Sequence, residues 1–349
     1  MEKRRLEYID VAKGVGIIAI MLGHMGFADA GGANVIRPLV NQFHVPIFYV
    51  IAGMFLSTRK PLGVFIGEKA RRLLVPYVVT CAVMGVFVVA CQAIGGATKP
   101  PTIWESANAF LGAVLWGAGI PHGTLPQGVG YVGAIWFLEA LFVALLETRL
   151  LVSARLNDGV RLGISVALAL VALGTQRLLL LPFNVQPGLF GGLYVMIGYL
   201  YRTYVGLDWR PCWWLLAALC VCCGVSYAYG LVVSCVTPSV AHGLLGFGAS
   251  LCACLLVLGF SQLVAERLAP LAHVLSFFGQ HSLTVLCVHL CCLNLGMRLV
   301  ALSVSLQLFV SPTANLVRAV DLVLQLSLCA LVAKGHALMV ARTDSGRKS

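Results

Sequence analysis

Charged side chains are what this sequence lacks most. Only 11% of its 349 residues are Asp, Glu, Lys or Arg, whereas 60% are hydrophobic. A soluble domain carries roughly 25% charged residues, so this chain cannot cover a water-facing surface. The shortage excludes a soluble enzyme, a secreted disulfide scaffold, a disordered chain and a coiled coil. Most of the surface must therefore face lipid.

Acidic residues are scarcer still, because 13 Asp and Glu stand against 24 Lys and Arg, which gives a net charge of +11. Such an excess can indicate nucleic-acid binding, but here the basic residues recur in short segments between apolar runs. That distribution is typical of cytoplasmic loops in membrane proteins. We therefore expect no nucleic-acid partner.

Most of the 13 cysteines lack polar surroundings, because they lie inside apolar runs. A free thiol in such a run behaves as a small buried hydrophobe. We therefore expect neither a disulfide framework nor a metal site.

Long apolar runs make up most of the chain, and the mean hydropathy is +0.93. Because a spanning helix needs about 20 apolar residues, we predict an all-α polytopic membrane protein, a bundle of about ten transmembrane helices. One transmembrane domain would cover residues 1–342, and a short disordered cytoplasmic tail would cover 343–349. The loop 96–129 contains Trp104–Trp116, a stretch too short to span, which we place at the membrane interface. The ten segments are residues 9–28, 38–57, 73–95, 130–148, 162–181, 187–202, 212–233, 243–264, 280–301 and 317–341.

Basic residues divide unevenly between the two sides of these segments. A cytoplasmic N-terminus puts 18 of them on the inner side and five on the outer side, with Lys13 inside the first segment. Because basic loops stay in the cytoplasm, both termini are predicted there. The inner residues are Lys3, Arg4, Arg5, Arg59, Lys60, Lys69, Arg71, Arg72, Arg149, Arg155, Arg161, Arg202, Arg210, Arg267, Lys334, Arg342, Arg347 and Lys348, and the outer residues are Arg37, Lys99, Arg177, Arg298 and Arg318.

The first segment holds three ionisable residues, Asp10, Lys13 and His24. A charge at bilayer depth costs about 2.5–3.5 kcal/mol on insertion scales, so each is a candidate functional residue. Asp10 and Lys13 are three residues apart and can pair on one helix face. Lys13 and His24 are about three turns apart and share a stripe. The stripe indicates the wall of a polar cavity, although a snorkelling lysine and a packed histidine would give the same pattern.

A basic cluster, Lys69, Arg71 and Arg72, precedes the third segment. Lys69 and Arg72 share a helix face, so together they can hold a polyanion at the cytoplasmic surface. An ordinary positive-inside cluster that contacts lipid phosphates remains an equal alternative.

Six short motifs follow one another along the chain. They are Asp10-x-x-Lys13-Gly14 with ten residues between Lys13 and His24, Pro46–Phe48 with Gly53–Phe55, Lys69-x-x-Arg72 leading to Tyr77, Trp136–Glu139, Tyr194–Tyr199, and Gly279–Leu283 with His289. In this order they resemble membrane-bound acyltransferase family 3, over essentially the whole chain. The short loops are most similar to its sugar O-acetylase and antibiotic O-acylase branches, including fucose O-acetylase-like proteins. The family more often has Arg where this chain has Lys13 and Lys69, which keeps the charge but loses the bidentate fork.

The resemblance implies an integral membrane O-acyltransferase of the bacterial inner membrane. It implies transfer of an acyl group, most often acetyl, from cytoplasmic acyl-CoA to a hydroxyl of a sugar or glycan of the cell envelope. Lys69, Arg71 and Arg72 would hold the phosphates of acetyl-CoA or another acyl-CoA. Lys13 would pair with Asp10 or steer the pantetheine arm. Further partners would be membrane lipids and the acceptor, which can itself be lipid-linked.

His24 is the candidate general base, because neutral imidazole can take a hydroxyl proton near neutral pH. An acyl-histidine relay on His24 stays open beside direct transfer. Asp10 and Glu139 complete the candidate catalytic set; Glu139 would orient His24 or bind sugar hydroxyls, unless it only makes a helix-to-helix hydrogen bond. Trp136 would stack on a sugar ring, and His289 would line the substrate pocket or act structurally.

The competing hypothesis is a polytopic transporter or exporter of a small polar solute, since polar groups inside a helix bundle also serve transport pathways. An internal inverted repeat would favour it, and the sequence has none that we can detect. The basic cluster at a cytoplasmic mouth also suits an acyl-CoA donor better than a proton or a metal.

The orientation can be tested with fusions. A green fluorescent protein fused after Ser349 should fluoresce, and alkaline phosphatase fused there should be inactive, because the first needs the cytoplasm and the second needs the outer side. Both reporters should behave oppositely when inserted near Lys99. An external C-terminus would put the basic cluster on the side without acyl-CoA and contradict the donor site.

Overall fold

Helices make up nearly all of the regular structure in the computed structural model, which describes residues 6–25, 36–94, 103–120, 123, 125–208, 210–292 and 314–346. The prediction of an all-α chain is confirmed. Each of the ten apolar segments overlaps at least one helix. The helices are α1 Glu7–His24, α2 Ile36–Asn41, α3 Pro46–Met54, α4 Leu62–Ile94, α5 Ile103–Trp116, α6 Trp136–Ser153, α7 Asp158–Thr175, α8 Val185–Tyr204, α9 Trp213–Ala228, α10 Leu244–Arg267, α11 Ala269–Gln280, α12 Ser282–Cys292 and α13 Ala314–Gly346.

Three short elements complete the described chain. A 3₁₀ turn, Gly133–Ile135, leads directly into α6. Two strands, β1 Val233–Ser234 and β2 Ser239–Val240, form an antiparallel hairpin between α9 and α10.

Four helices in the described ranges are long and apolar enough to cross a bilayer: Leu62–Ala90, Asp158–Thr175, Leu244–Arg267 and Arg318–Met339. The pair α11 and α12, bent by 75° at the break between them, makes a fifth candidate. The chain is therefore an integral membrane protein by composition and helix length. The total of about ten spans stays a prediction.

Four differences between the helices and the predicted segments go beyond shifts of a few residues at the ends. The second segment is broken, because Pro46 has no N–H to continue a helix and instead starts α3. The basic cluster lies inside α4, which begins at Leu62 rather than after it. Helix α11 was not predicted, since its 12 residues are too few to span. Residues 343–346 of the predicted tail continue α13 because no proline interrupts them, and residues 347–349 lie outside the described residues.

The chain packs as two compact units, and the first comprises residues 1–40 and 260–349. Its described core is built where α1 lies against α11. Val11 is fully buried there with Leu275 and with Val264 at the end of α10. The two backbones approach closely at Gly14 and Gly279, where an added Cβ would meet the backbone of Leu275 and the carbonyl of Asp10 respectively. This contact fixes which face of α1 is buried.

The second unit comprises residues 41–259, and α8 is its central helix, in contact with α3, α6 and α7. Two glycines let α3 and α8 touch: a Cβ on Gly53 would overlap the Val195 carbonyl, and one on Gly198 would overlap the Val50 carbonyl. Gly53 therefore permits the close approach of a neighbouring helix.

Gly53→Ala should destabilise the protein by about 1–3 kcal/mol, the usual penalty for inserting a methyl group into a packed interior. The measurement is the change in Tm of the purified protein in one detergent. Gly67→Ala is the matched control, because Gly67 is also helical but has no atom within 4 Å of an added Cβ. Its Tm should stay level or rise, since Ala favours the helix. Equal Tm values for both variants would contradict the close contact.

Candidate functional site

The polar residues of α1 form an ion pair in its first turns. Lys13 Nζ lies 2.6 Å from Asp10 Oδ1, with the Asp10 side chain 7% exposed and the Lys13 side chain 26% exposed. The predicted pairing is confirmed, and its cause is the three-residue spacing on one helix face. The assignments of Asp10 to catalysis and Lys13 to donor binding stay predictions.

His24 is the last residue of α1 and its side chain is exposed. Its ring centre lies 5.7 Å from the ring centre of His289, with an angle of 43° between the ring planes. His289 is in α12 and is fully buried. The first unit therefore brings the candidate base and the candidate pocket histidine together, although they are far apart in sequence.

One hydrogen bond joins His289 to α13, and a second hydrogen bond within α13 continues the series. Its Nδ1 lies 2.7 Å from Oε1 of Gln325, whose Nε2 donates to Oδ2 of Asp321 over 2.9 Å. Sequence reasoning missed Gln325 because a neutral amide gives no charge signal. The four-residue spacing from Asp321, which puts both on one helix face, could have revealed it.

Glu139 belongs to the second unit, where it is 2% exposed in the first turn of α6. Nδ2 of Asn184 donates to Glu139 Oε2 over 2.8 Å and to the Gly117 carbonyl over 2.9 Å. Asn184 has φ 50 and Gly117 has φ 65, a left-handed conformation that Asn and Gly tolerate best. Within the described residues, Glu139 thus makes the internal hydrogen bond that was the alternative to a catalytic role.

Trp136 is buried, with 5% of its surface exposed. An added Cβ on Gly119 would meet its indole ring, and Phe137 lies edge-on to it with ring centres 6.1 Å apart. Its ring is therefore already covered by protein. Stacking on a sugar ring stays a prediction, and it requires the residues over the indole to move.

Lys69 of the basic cluster and Arg149 both lie near one aromatic ring. Lys69 Nζ lies 5.6 Å from the ring centre of buried Phe65, and Arg149 Cζ lies 5.8 Å from it. Arg149 also donates to the Thr58 and Lys60 carbonyls, over 3.3 and 2.8 Å. A cation is stabilised against an aromatic face, so the arrangement holds two positive groups near each other.

Arg71 and Arg72 follow Lys69 on α4, and both side chains are exposed. They are free to contact an anion at the surface, whereas Arg149 is buried and holds the segment before α4 in place. The sequence analysis used Arg149 only to predict orientation in the membrane and missed that it lies near the Phe65 ring beside Lys69. Its position at the end of an apolar segment gave no indication of the partner loop.

No group of three or more His, Cys, Asp or Glu side chains converges to hold a metal ion among the described residues.

Comparison with known proteins identifies one family. The family model described as an acyltransferase domain matches residues 6–330, most of the chain. No curated protein and no solved structure matches this chain. The matched range includes α1 with Asp10, Lys13 and His24, the basic cluster of α4, and the segment of α13 that carries Asp321 and Gln325.

Proposed function

Because the chain belongs to membrane-bound acyltransferase family 3, we propose that it moves an acyl group, most often acetyl, from acyl-CoA to a hydroxyl of a sugar or glycan. Family membership makes it a membrane acyltransferase, which favours this function over the transporter hypothesis. The donor, the acceptor and the catalytic histidine are the parts that we propose. We further propose the bacterial inner membrane as its location, with both termini in the cytoplasm.

The observation that carries the mechanism is the exposed imidazole of His24 beside a second, buried imidazole. In direct transfer, His24 takes the proton of the acceptor hydroxyl as that oxygen attacks the thioester carbonyl. The carbon–sulfur bond then breaks, and the proton passes to the CoA thiolate, which leaves CoA and an acyl ester. An acyl-histidine relay gives the same products in two steps.

Donor binding is assigned to the basic cluster of α4. Coenzyme A is a polyanion, and its phosphates suit the exposed Arg71 and Arg72 and the half-buried Lys69. Lys69 is steadied by the face of Phe65, so less side-chain entropy is lost when it binds an anion. We propose Lys13, already paired with Asp10, as a contact for the pantetheine arm.

The donor assignment predicts that Lys69→Ala and Arg72→Ala each raise the Kd for coenzyme A by about tenfold, because each removes a charge-assisted contact. Calorimetric titration of coenzyme A into the detergent-solubilised protein measures this. Lys334→Ala is the control, since Lys334 is an exposed lysine of α13, and its Kd should not change. If the affinity for coenzyme A is unchanged in both variants, the cluster does not bind the donor and serves only to set the orientation of the protein in the membrane.

The catalytic assignment predicts that His24→Ala abolishes transfer. His24→Gln should be nearly as inactive, because Gln hydrogen-bonds but does not titrate, and loss of a general base costs about 10²–10⁴ in rate. Mass spectrometry of cell-envelope glycans from deletion cells that carry each variant measures the acyl esters. Coenzyme A binding should persist in both variants.

His273→Gln is the matched control, since His273 is an exposed histidine of the same unit. The glycans of cells that carry this variant should contain normal amounts of acyl ester. Near-normal transfer by a well-expressed His24→Gln protein would overturn the assignment and make Glu139 the next candidate. Absence of acyl esters in the wild type as well would refute the glycan acceptor itself.

A further inference from the structure

Complete burial of His289 separates it from any substrate. Its side chain has no exposed surface, whereas the neighbouring ring of His24 is exposed. A sugar hydroxyl can therefore reach His24 but not His289 in this arrangement. Any effect of His289 on transfer must act through another group, and the ring of His24 lies beside it, with 5.7 Å between the ring centres.

The hydrogen bonds on α13 fix where the proton of His289 resides. An ionised Asp carboxylate only accepts, so the Gln325 atom that faces Asp321 must be the amide nitrogen. The amide oxygen of Gln325 then faces His289, and it can only accept. Neutral His289 must therefore carry its proton on Nδ1, which leaves a lone pair on Nε2. Among the described residues, that Nε2 has no hydrogen-bond partner.

The distance to His24 suits a hydrogen bond between the two rings after a small adjustment. Two imidazoles joined by one N–H···N bond have ring centres roughly 5 Å apart, since each nitrogen lies about 1.1 Å from its ring centre and the bond spans about 2.9 Å. The observed separation is 5.7 Å. Catalytic hydrogen bonds are often long before substrate binds and shorten in the complex.

We propose that His289 is a positioning residue that fixes the tautomer of His24. The Nε2 lone pair of His289 accepts the N–H of one ring nitrogen of His24, so the other His24 nitrogen carries the lone pair on the exposed side. That nitrogen is the one that meets the acceptor hydroxyl. The inference rests on the proposed role of His24 as base or relay. It adds a hydrogen-bonded series, His289, Gln325 and Asp321, that supports His24.

The hydrogen-bonded series His289, Gln325 and Asp321 also suits the positive charge that His24 acquires. When His24 takes a proton, a neutral acceptor nitrogen beside it stabilises the imidazolium, and the Asp321 carboxylate ends the series with a negative charge. A third group that holds a catalytic histidine in one tautomer has this effect in serine hydrolases, where its loss lowers the rate by orders of magnitude.

The test compares three variants with the wild type in the full-length protein. His289→Leu removes the acceptor, and His289→Gln can restore an acceptor oxygen near the Nε2 position. In Asp321→Asn, the new side-chain amide can donate to Gln325, so the Gln325 amide can rotate and exchange the positions of its oxygen and nitrogen. His336→Leu is the control, because His336 is an exposed histidine of α13. Transfer is measured from labelled acetyl-CoA to the membrane glycan fraction of cells that lack the gene.

We expect His289→Leu to lower kcat by about 10²-fold and Asp321→Asn by about tenfold, with the KM for acetyl-CoA unchanged. His289→Gln should recover part of the loss, and His336→Leu should match the wild type. A purely structural defect would lower the amount of folded protein without this pattern. A folded His289→Leu protein whose kcat lies within threefold of the wild type would overturn the proposal.

Nitrogen-15 spectra of histidine-labelled protein give a second readout that does not need turnover. His24, identified by its loss in His24→Gln, should show one protonated and one unprotonated ring nitrogen in the wild type, and a mixture of tautomers in His289→Leu. A single unchanged tautomer in His289→Leu overturns the proposal. If the wild type transfers no acetyl group at all, the acyl-transfer function fails, and these spectra still decide the role of His289.

Discussion

Contact between helix backbones is the interaction on which both units depend. Lipid tails are as apolar as leucine, so helices in a membrane gain little by hiding apolar side chains from them and must gain from close packing instead. In the first unit that packing occurs at Gly14 and Gly279, and in the second at Gly53 and Gly198. Gly14 directly follows Lys13, and Gly279 faces the carbonyl of Asp10. The rotation of α1, and hence the direction of its ion pair and of His24, is therefore set by glycine.

The sequence predicted the features that are local. Apolar runs predicted the all-α class and the approximate positions of the helices, and the three-residue spacing predicted the pairing of Asp10 with Lys13. The break before Pro46 was not predicted, because the sequence does not say whether a helix bends or stops at a proline. Helix α11 was missed because its length lies well below that of a span.

The features that depend on tertiary contact could not be predicted from one sequence. Nothing in the chain indicates that His24 and His289 lie in contact range, since apolar patterns carry no information on which helices are neighbours. Gln325 escaped notice for a related reason, because one amide in an apolar segment changes its hydropathy little. The partner of Glu139 was equally out of reach of the sequence: a buried acid needs a partner, and Asn184, which supplies it, is 45 residues away along the chain.

Helix α4 is longer than the membrane is thick. Its 33 residues extend for about 50 Å, against roughly 30 Å for the hydrocarbon core of a bilayer. Residues 68–72 carry four charged side chains, so this end is the part that favours the headgroup region and water. The surplus length lets Lys69, Arg71 and Arg72 lie beyond the hydrocarbon core, where they can contact headgroups or a soluble anion. A thicker or thinner bilayer would change the tilt of the helix, and would thereby change the depth at which a bound anion is presented.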